Sequence, residues 1–161
     1  MWGLIPDQED AREMYRHILL AYDGSEIGQR ALLESQDIVQ WSCARLTLAA
    51  VIPDDLDSMG LNFEYMPAFH FVPEKKKKHQ RLLDNGVSHL TSKGFRATGS
   101  LLSGDVVSEI ANHARAIRAD LIVVGHRQEK SLVQRWWSSS TAKSLIEVAP
   151  CSVLMVVVRD R

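Results

Sequence analysis

Five short strand-like runs, separated by longer stretches of helical periodicity, limit what this chain can become more than any other feature. The runs are Arg16 to Tyr22, Leu46 to Ile52, Phe95 to Leu102, Leu121 to Val124 and Ser152 to Val158. Leu46 to Ile52, apolar except for Thr47, suits a central strand covered on both faces, as strands are in a parallel sheet. Between the runs, Ile27, Ala31, Leu32, Ile38 and Val39 recur at intervals of three and four in a helix running from the turn Asp23-Gly24-Ser25 to about Gln40. Leu82, Leu83, Val87 and Leu90 do the same in a helix opening at Glu74 and stopped by Gly94. Val106, Ile110, Ala114 and Ile117 form the inner face of a third, capped by Ser103-Gly104-Asp105, and a fourth runs from Ser139 to Val148 before Pro150. The order β-α-β-α-β-α-β-α-β predicts an α/β fold: a parallel sheet with helices on both faces, right-handed crossovers and one place where strand order reverses.

At 161 residues the chain makes one domain with a core that needs neither disulfides nor metals. Cys43 and Cys151 lie far apart without metal-ligand spacing and read as small buried fillers. A net charge of -1 gives no general attraction for nucleic acid or anionic lipid, so neither is expected as a partner. Lys75 to Lys78 would spread around a helix axis as a solvated face. The longest apolar run, Val153 to Val158, is too short to cross a bilayer, and the first thirteen residues lack the pattern of a signal peptide, so a cytoplasmic location is the default. The connection from Pro53 to Pro73 is long. Its Phe63, Tyr65, Phe69 and Phe71 are expected to pin it to the domain.

The chemistry converges on one stretch. The run Asp120-Leu121-Ile122-Val123-Val124 stops at Gly125, a basic loop with Arg127, Lys130 and Arg135 follows, and a helix opens at Ser138-Ser139-Ser140-Thr141. At the carboxyl ends of parallel strands such a helix head aims unpaired N–H groups and a positive dipole end into a crevice, an arrangement suited to phosphate. The serines are equally an N-cap run, and Asp23 equally an Asx turn before a helix; both readings share one geometry. No Gly-x-Ser-x-Gly elbow, Walker-type lysine or metal-spaced histidine set occurs, and His126 has no recognisable acidic partner, so it reads as a loop histidine and no catalytic residue is assigned.

Four segments together carry a resemblance: Ile18-Leu19-Leu20-Ala21-Tyr22-Asp23-Gly24-Ser25, Gly104-Asp105, Ala119-Asp120-Leu121-Ile122-Val123-Val124-Gly125, and Ala149-Pro150-Cys151-Ser152-Val153-Leu154. In this order and on this frame the sequence resembles the universal stress protein family from Arg16 to Val158. The resemblance implies a single flavodoxin-like (Rossmann-like) domain over residues 16–161 after an extension over 1–15, with a five-stranded sheet of order 3-2-1-4-5. Nucleotide-binding members carry Gly, two residues, Gly, nine residues, then Gly and Ser or Thr. Here these positions hold Gly125, Gln128, Ser138 and Ser139, so two of the three glycines are replaced.

The site the resemblance implies comprises Ala21, Asp23, Val51, Gly125, Gln128, Ser138, Ser139 and Ser140, with ATP or AMP, and magnesium, as its ligands. Glycine beside a phosphate tolerates positive φ and lets the backbone approach. A left-handed Gln128 would cost about 1–2 kcal/mol, a loss of roughly ten- to thirtyfold in affinity. Members without the motif resemble a class of non-catalytic regulatory dimers isolated without nucleotide. The expectation is therefore a stress-response homodimer with a degenerate phosphate loop; the alternative is an ATP- or AMP-responsive sensor. The apolar last strand should lie at a sheet edge, and relatives resemble dimers joined through it. The identity of a regulatory protein partner is not written in the sequence.

Overall fold

The computed structural model describes residues 15–22, 28, 43–53, 71–127 and 139–158. Strands β1 (His17–Ala21), β2 (Arg45–Ile52), β3 (Ala97–Ser103), β4 (Leu121–Arg127) and β5 (Ser152–Val158) form one sheet in the order β3-β2-β1-β4-β5. Every neighbouring pair is parallel, so this is the expected α/β sheet with β5 at an edge. Helices α1 (Phe71–Ser92), α2 (Val106–Ile117) and α3 (Ser139–Val148) cover it. Of the helix expected between Ser25 and Gln40 only Gly28, which is helical, is among the described residues, and the connection over 54–70 lies outside them.

Strand periodicity divides the core in two. Ile18 and Leu20 of β1, Leu46, Leu48 and Ala50 of β2, and Leu121 and Val123 of β4 meet Leu83 and Leu90 of α1. The alternate residues Leu19 and Ala21, Ala49 and Val51, and Ile122 and Val124 meet Ile110, Ala111 and Ala114 of α2 and Leu145 of α3. β1 is buried along its whole length, as a strand at the centre of a covered sheet must be.

The helix ends follow from their capping residues. Asp105 accepts a hydrogen bond from the Ser108 N–H at 2.9 Å and caps α2. α1 ends in a Schellman turn: Gly94, at φ 88°, donates to Thr91 O (2.9 Å), and Phe95 N to Leu90 O (3.1 Å). α2 ends in the same way on a residue that is not glycine. Arg118, at φ 54°, donates to Arg115 O (3.2 Å), and Ala119 N to Ala114 O (2.9 Å).

Three expectations need correction. α1 starts at Phe71 rather than Glu74, with Pro73 inside its first turn, where a missing N–H leaves no bond unmade. β4 does not stop at Gly125. It continues to Arg127 because β5 supplies partners: Gly125, His126 and Arg127 pair with Val156, Val157 and Val158, so His126 is a strand residue rather than a loop residue. Cys43 is exposed at φ 50° instead of buried, and Cys151 is half-buried. Lys76, Lys77 and Lys78 are exposed, as a solvated face requires. Among the described residues no helix is long and apolar enough to cross a membrane.

Candidate functional site

Strand order reverses between β1 and β4. From β1 the chain builds outward to β2 and β3, then crosses to the other side for β4 and β5, so the two halves of the sheet part at the carboxyl ends of β1 and β4. The register fixes what stands there. Ala21 pairs with Ala49 on one side and Val124 on the other. Tyr22 extends the strand toward β2 by donating its N–H to Ala49 O at 2.8 Å, and on β4 Gly125 stands one residue beyond the Ala21–Val124 pair. Val51 pairs with Leu102, and β2 and β3 close with Gly104 N donating to Ile52 O at 3.0 Å.

Of the residues the sequence assigns to the site, Ala21, Val51 and Gly125 are brought to this end of the sheet, all buried. Ala21 and Val51 point to the α2–α3 face, whereas alternation from Val124 gives Gly125 to the α1 face. Ser139 and Ser140 begin α3. Since β4 and β5 are parallel, the helix joining them runs antiparallel to both, and its first turn lies at the carboxyl-end side of the sheet. Its orientation is fixed from below: Leu145 is fully buried, and Arg115 Nη2 donates to Val148 O at 2.8 Å. Asp23, Gln128 and Ser138 lie outside the described residues, as do Lys130 and Arg135.

The head of α2 opens at the same side of the sheet. Gly104 has φ 138°, and a Cβ built on it would stand 3.1 Å from Glu109 Cγ, so the turn requires glycine. The bonds from Ser108, side chain first and backbone second, hold the Asp105 carboxyl below the usual carboxylate range. These groups close a turn, and nothing in them offers a nucleophile. Among the described residues no three His, Cys, Asp or Glu side chains are arranged to hold a metal.

Sequence reasoning missed the opposite end of the sheet. Asp120 accepts hydrogen bonds from the N–H groups of Arg16 (2.8 Å) and His17 (3.0 Å) and returns one from its own N–H to His17 O (3.0 Å). The His17 ring is buried, with Nδ1 3.0 Å from Ile117 O and Nε2 2.8 Å from Thr47 Oγ1. Burial pushes its pKa below the ordinary histidine value; the Ile117 carbonyl opposes this, the Arg45 charge adds to it, and the Asp120 charge opposes it. A histidine and a threonine interrupting two apolar runs were the available signal.

The comparisons fit this geometry. The model of the universal stress protein family matches residues 14–157. The universal stress protein YxiE of Bacillus subtilis (strain 168) is 29% identical over 149 residues, covering 89% of this chain and 99% of its own. A solved structure from the same family in Burkholderia pseudomallei superposes with TM-score 0.69 at 29% identity, covering 89% of this chain and 96% of that one. Two further structures share the fold: a universal stress protein in complex with cAMP, TM-score 0.59 at 21% identity over 88% of this chain and 96% of its own, and the Archaeoglobus fulgidus protein in complex with dAMP, TM-score 0.61 at 15% identity over 88% and 96%.

Proposed function

The chain belongs to the universal stress protein family, and from that premise we propose that it acts as a non-catalytic regulatory homodimer whose β1/β4 crevice holds an adenine nucleotide weakly. The observation that carries the reading is the Ala21–Val124 pair at the strand reversal, with Gly125 next in β4 and the α3 head on the same side of the sheet. In this reading the adenosine end lies against Ala21, Asp23 and Val51. The phosphates meet Gly125 and the amides and hydroxyls of Ser138, Ser139 and Ser140, with magnesium accompanying a triphosphate. Gln128 and Ser138, standing where the family's binding motif has glycine, set the weak affinity. β5 supplies the subunit contact: it has one neighbour, β4, among the described residues, and its other edge is free to pair with a second copy.

A second reading, an ATP- or AMP-responsive sensor, is favoured by the cAMP and dAMP complexes of the two structural relatives. Calorimetric titration with AMP and with Mg-ATP separates the two. For the degenerate site, Gln128→Gly with Ser138→Gly tightens binding by roughly ten- to thirtyfold over the unaltered chain. Tight binding by the unaltered chain, with no gain from the glycines, makes it a sensor and overturns the first reading. Light scattering on the eluting protein gives twice the 18.1 kDa chain mass if the homodimer forms; the monomer mass removes it.

A further inference from the structure

The buried polar groups at the amino ends of the strands form a chain from the core to the surface. Ile117 O can only accept, so His17 Nδ1, 3.0 Å away, carries a proton. The Nε2 of the neutral ring then accepts from Thr47 Oγ1 at 2.8 Å. Thr47 Oγ1 lies 3.3 Å from the Oγ1 of Thr98, an exposed residue on the edge strand β3. On the same side α2 contributes His113, whose Nε2 is buried without a hydrogen-bond partner among the described residues.

A second proton on His17 turns Nε2 from acceptor to donor and forces both threonine hydroxyls to reorient. A proton on His113 places charge on a ring whose buried Nε2 has no hydrogen-bond partner among the described residues. We infer that His17, Thr47, Thr98 and His113 form a proton-operated latch: with neutral rings it holds the carboxyl-terminal half of α2 on the sheet, and with protonated rings it lets that half go.

The charges facing the pair decide whether it opens. β2 brings Arg45, whose charge opposes protonation of His17, and a charged His17 opposes protonation of His113. Asp120, before β4, and Glu109, on α2, favour it. Asp120 already accepts from two backbone N–H groups, and Glu109 stands one helical turn before His113, yet desolvation is the largest influence on each ring. Both rings are held below their ordinary value, so the unfolded chain takes up the protons first. The latch's contribution is whole above about pH 6.5 and is lost as pH falls below that. This latch does not depend on the nucleotide reading.

Amide hydrogen exchange on the full chain tests it, at about pH 7.5 and about pH 5.5, with rates corrected for intrinsic pH dependence. The expected result is about a tenfold or greater loss of protection over residues 112–117 at the lower pH, with residues 83–90 of α1 little changed. In His113→Leu, and in His17→Gln, which keeps one donor and one acceptor without titrating, the loss shrinks. In the double variant it disappears. Should the His17 variants not fold, His113→Leu alone decides. Equal protection at both pH values, or a His113→Leu chain responding as fully as the unaltered one, overturns the latch.

Discussion

A Cβ built on Gly86 would stand 2.8 Å from Cε1 of Tyr22, and equally close to Cδ2 of Leu48. The backbone of α1 therefore lies directly on the ring of the residue that ends β1 at the strand reversal. In a free helix Gly86→Ala would gain about 1 kcal/mol from propensity. Here overpacking against a ring and a fully buried leucine, costing typically 1–3 kcal/mol, outweighs it. The expected net is a loss of up to about 2 kcal/mol in urea unfolding with an unchanged slope. An alanine variant as stable as the parent would show that α1 lifts freely from Tyr22.

Asp120 ties the start of β1 to the start of β4 through the N–H groups of Arg16 and His17, neighbours across the sheet but more than a hundred residues away in sequence. Removing an ionised acceptor of two hydrogen bonds, one of them part-buried, should cost about 2–3 kcal/mol in Asp120→Ala. Asp120→Asn, keeping one acceptor oxygen, should cost about half as much, so melting temperatures are expected to rank parent, asparagine, alanine. The family signature containing Asp120 thus has a physical basis here in holding the two strands that bracket the crevice.

α1 and α2 end in the same Schellman turn, with glycine at the left-handed position of one and Arg118 at that of the other. A left-handed non-glycine residue costs about 1–2 kcal/mol, part of which glycine returns as chain entropy in the unfolded state. Arg118→Gly should therefore stabilise by about 0.5–1 kcal/mol, raising the melting temperature by a few degrees. No gain would mean that the exposed Arg118 side chain contributes elsewhere.

What could be read beforehand follows how local each signal is. The inner strands β1, β2 and β4 were legible because a parallel strand covered on both faces must be apolar nearly throughout, and the α2 cap because Asp105 acts on an amide three residues away. The end of β4 was not, because Gly125 looks like a stop until Val156 pairs with it across the sheet. His17 was missed for the same reason: its partners Thr47 and Ile117 lie 30 and 100 residues away. At the crevice, Ala21 and Val51 were placed by pattern and resemblance together. Their own identities say little, since any small or branched apolar residue fills a buried strand.

The Asp105 cap gives a pH dependence of opposite origin to that of the histidines. Its carboxyl is held below the ordinary value by the side-chain and backbone bonds from Ser108, so the ionised form is the one the fold prefers. A carboxylate lowered in the folded state contributes stability that is whole above the unfolded value, near 3.8, and is lost as pH falls through the folded one. Asp105→Ala should cost about 1 kcal/mol at neutral pH, as for other N-caps. Asp105→Asn retains the cap without the titration, so it should match the parent near neutrality and lose less stability in acid. Denaturant midpoints for the three proteins across the acid range check this. An asparagine variant that follows the parent's acid loss point for point would assign that loss to other carboxylates and leave Asp105 a cap whose charge does not matter.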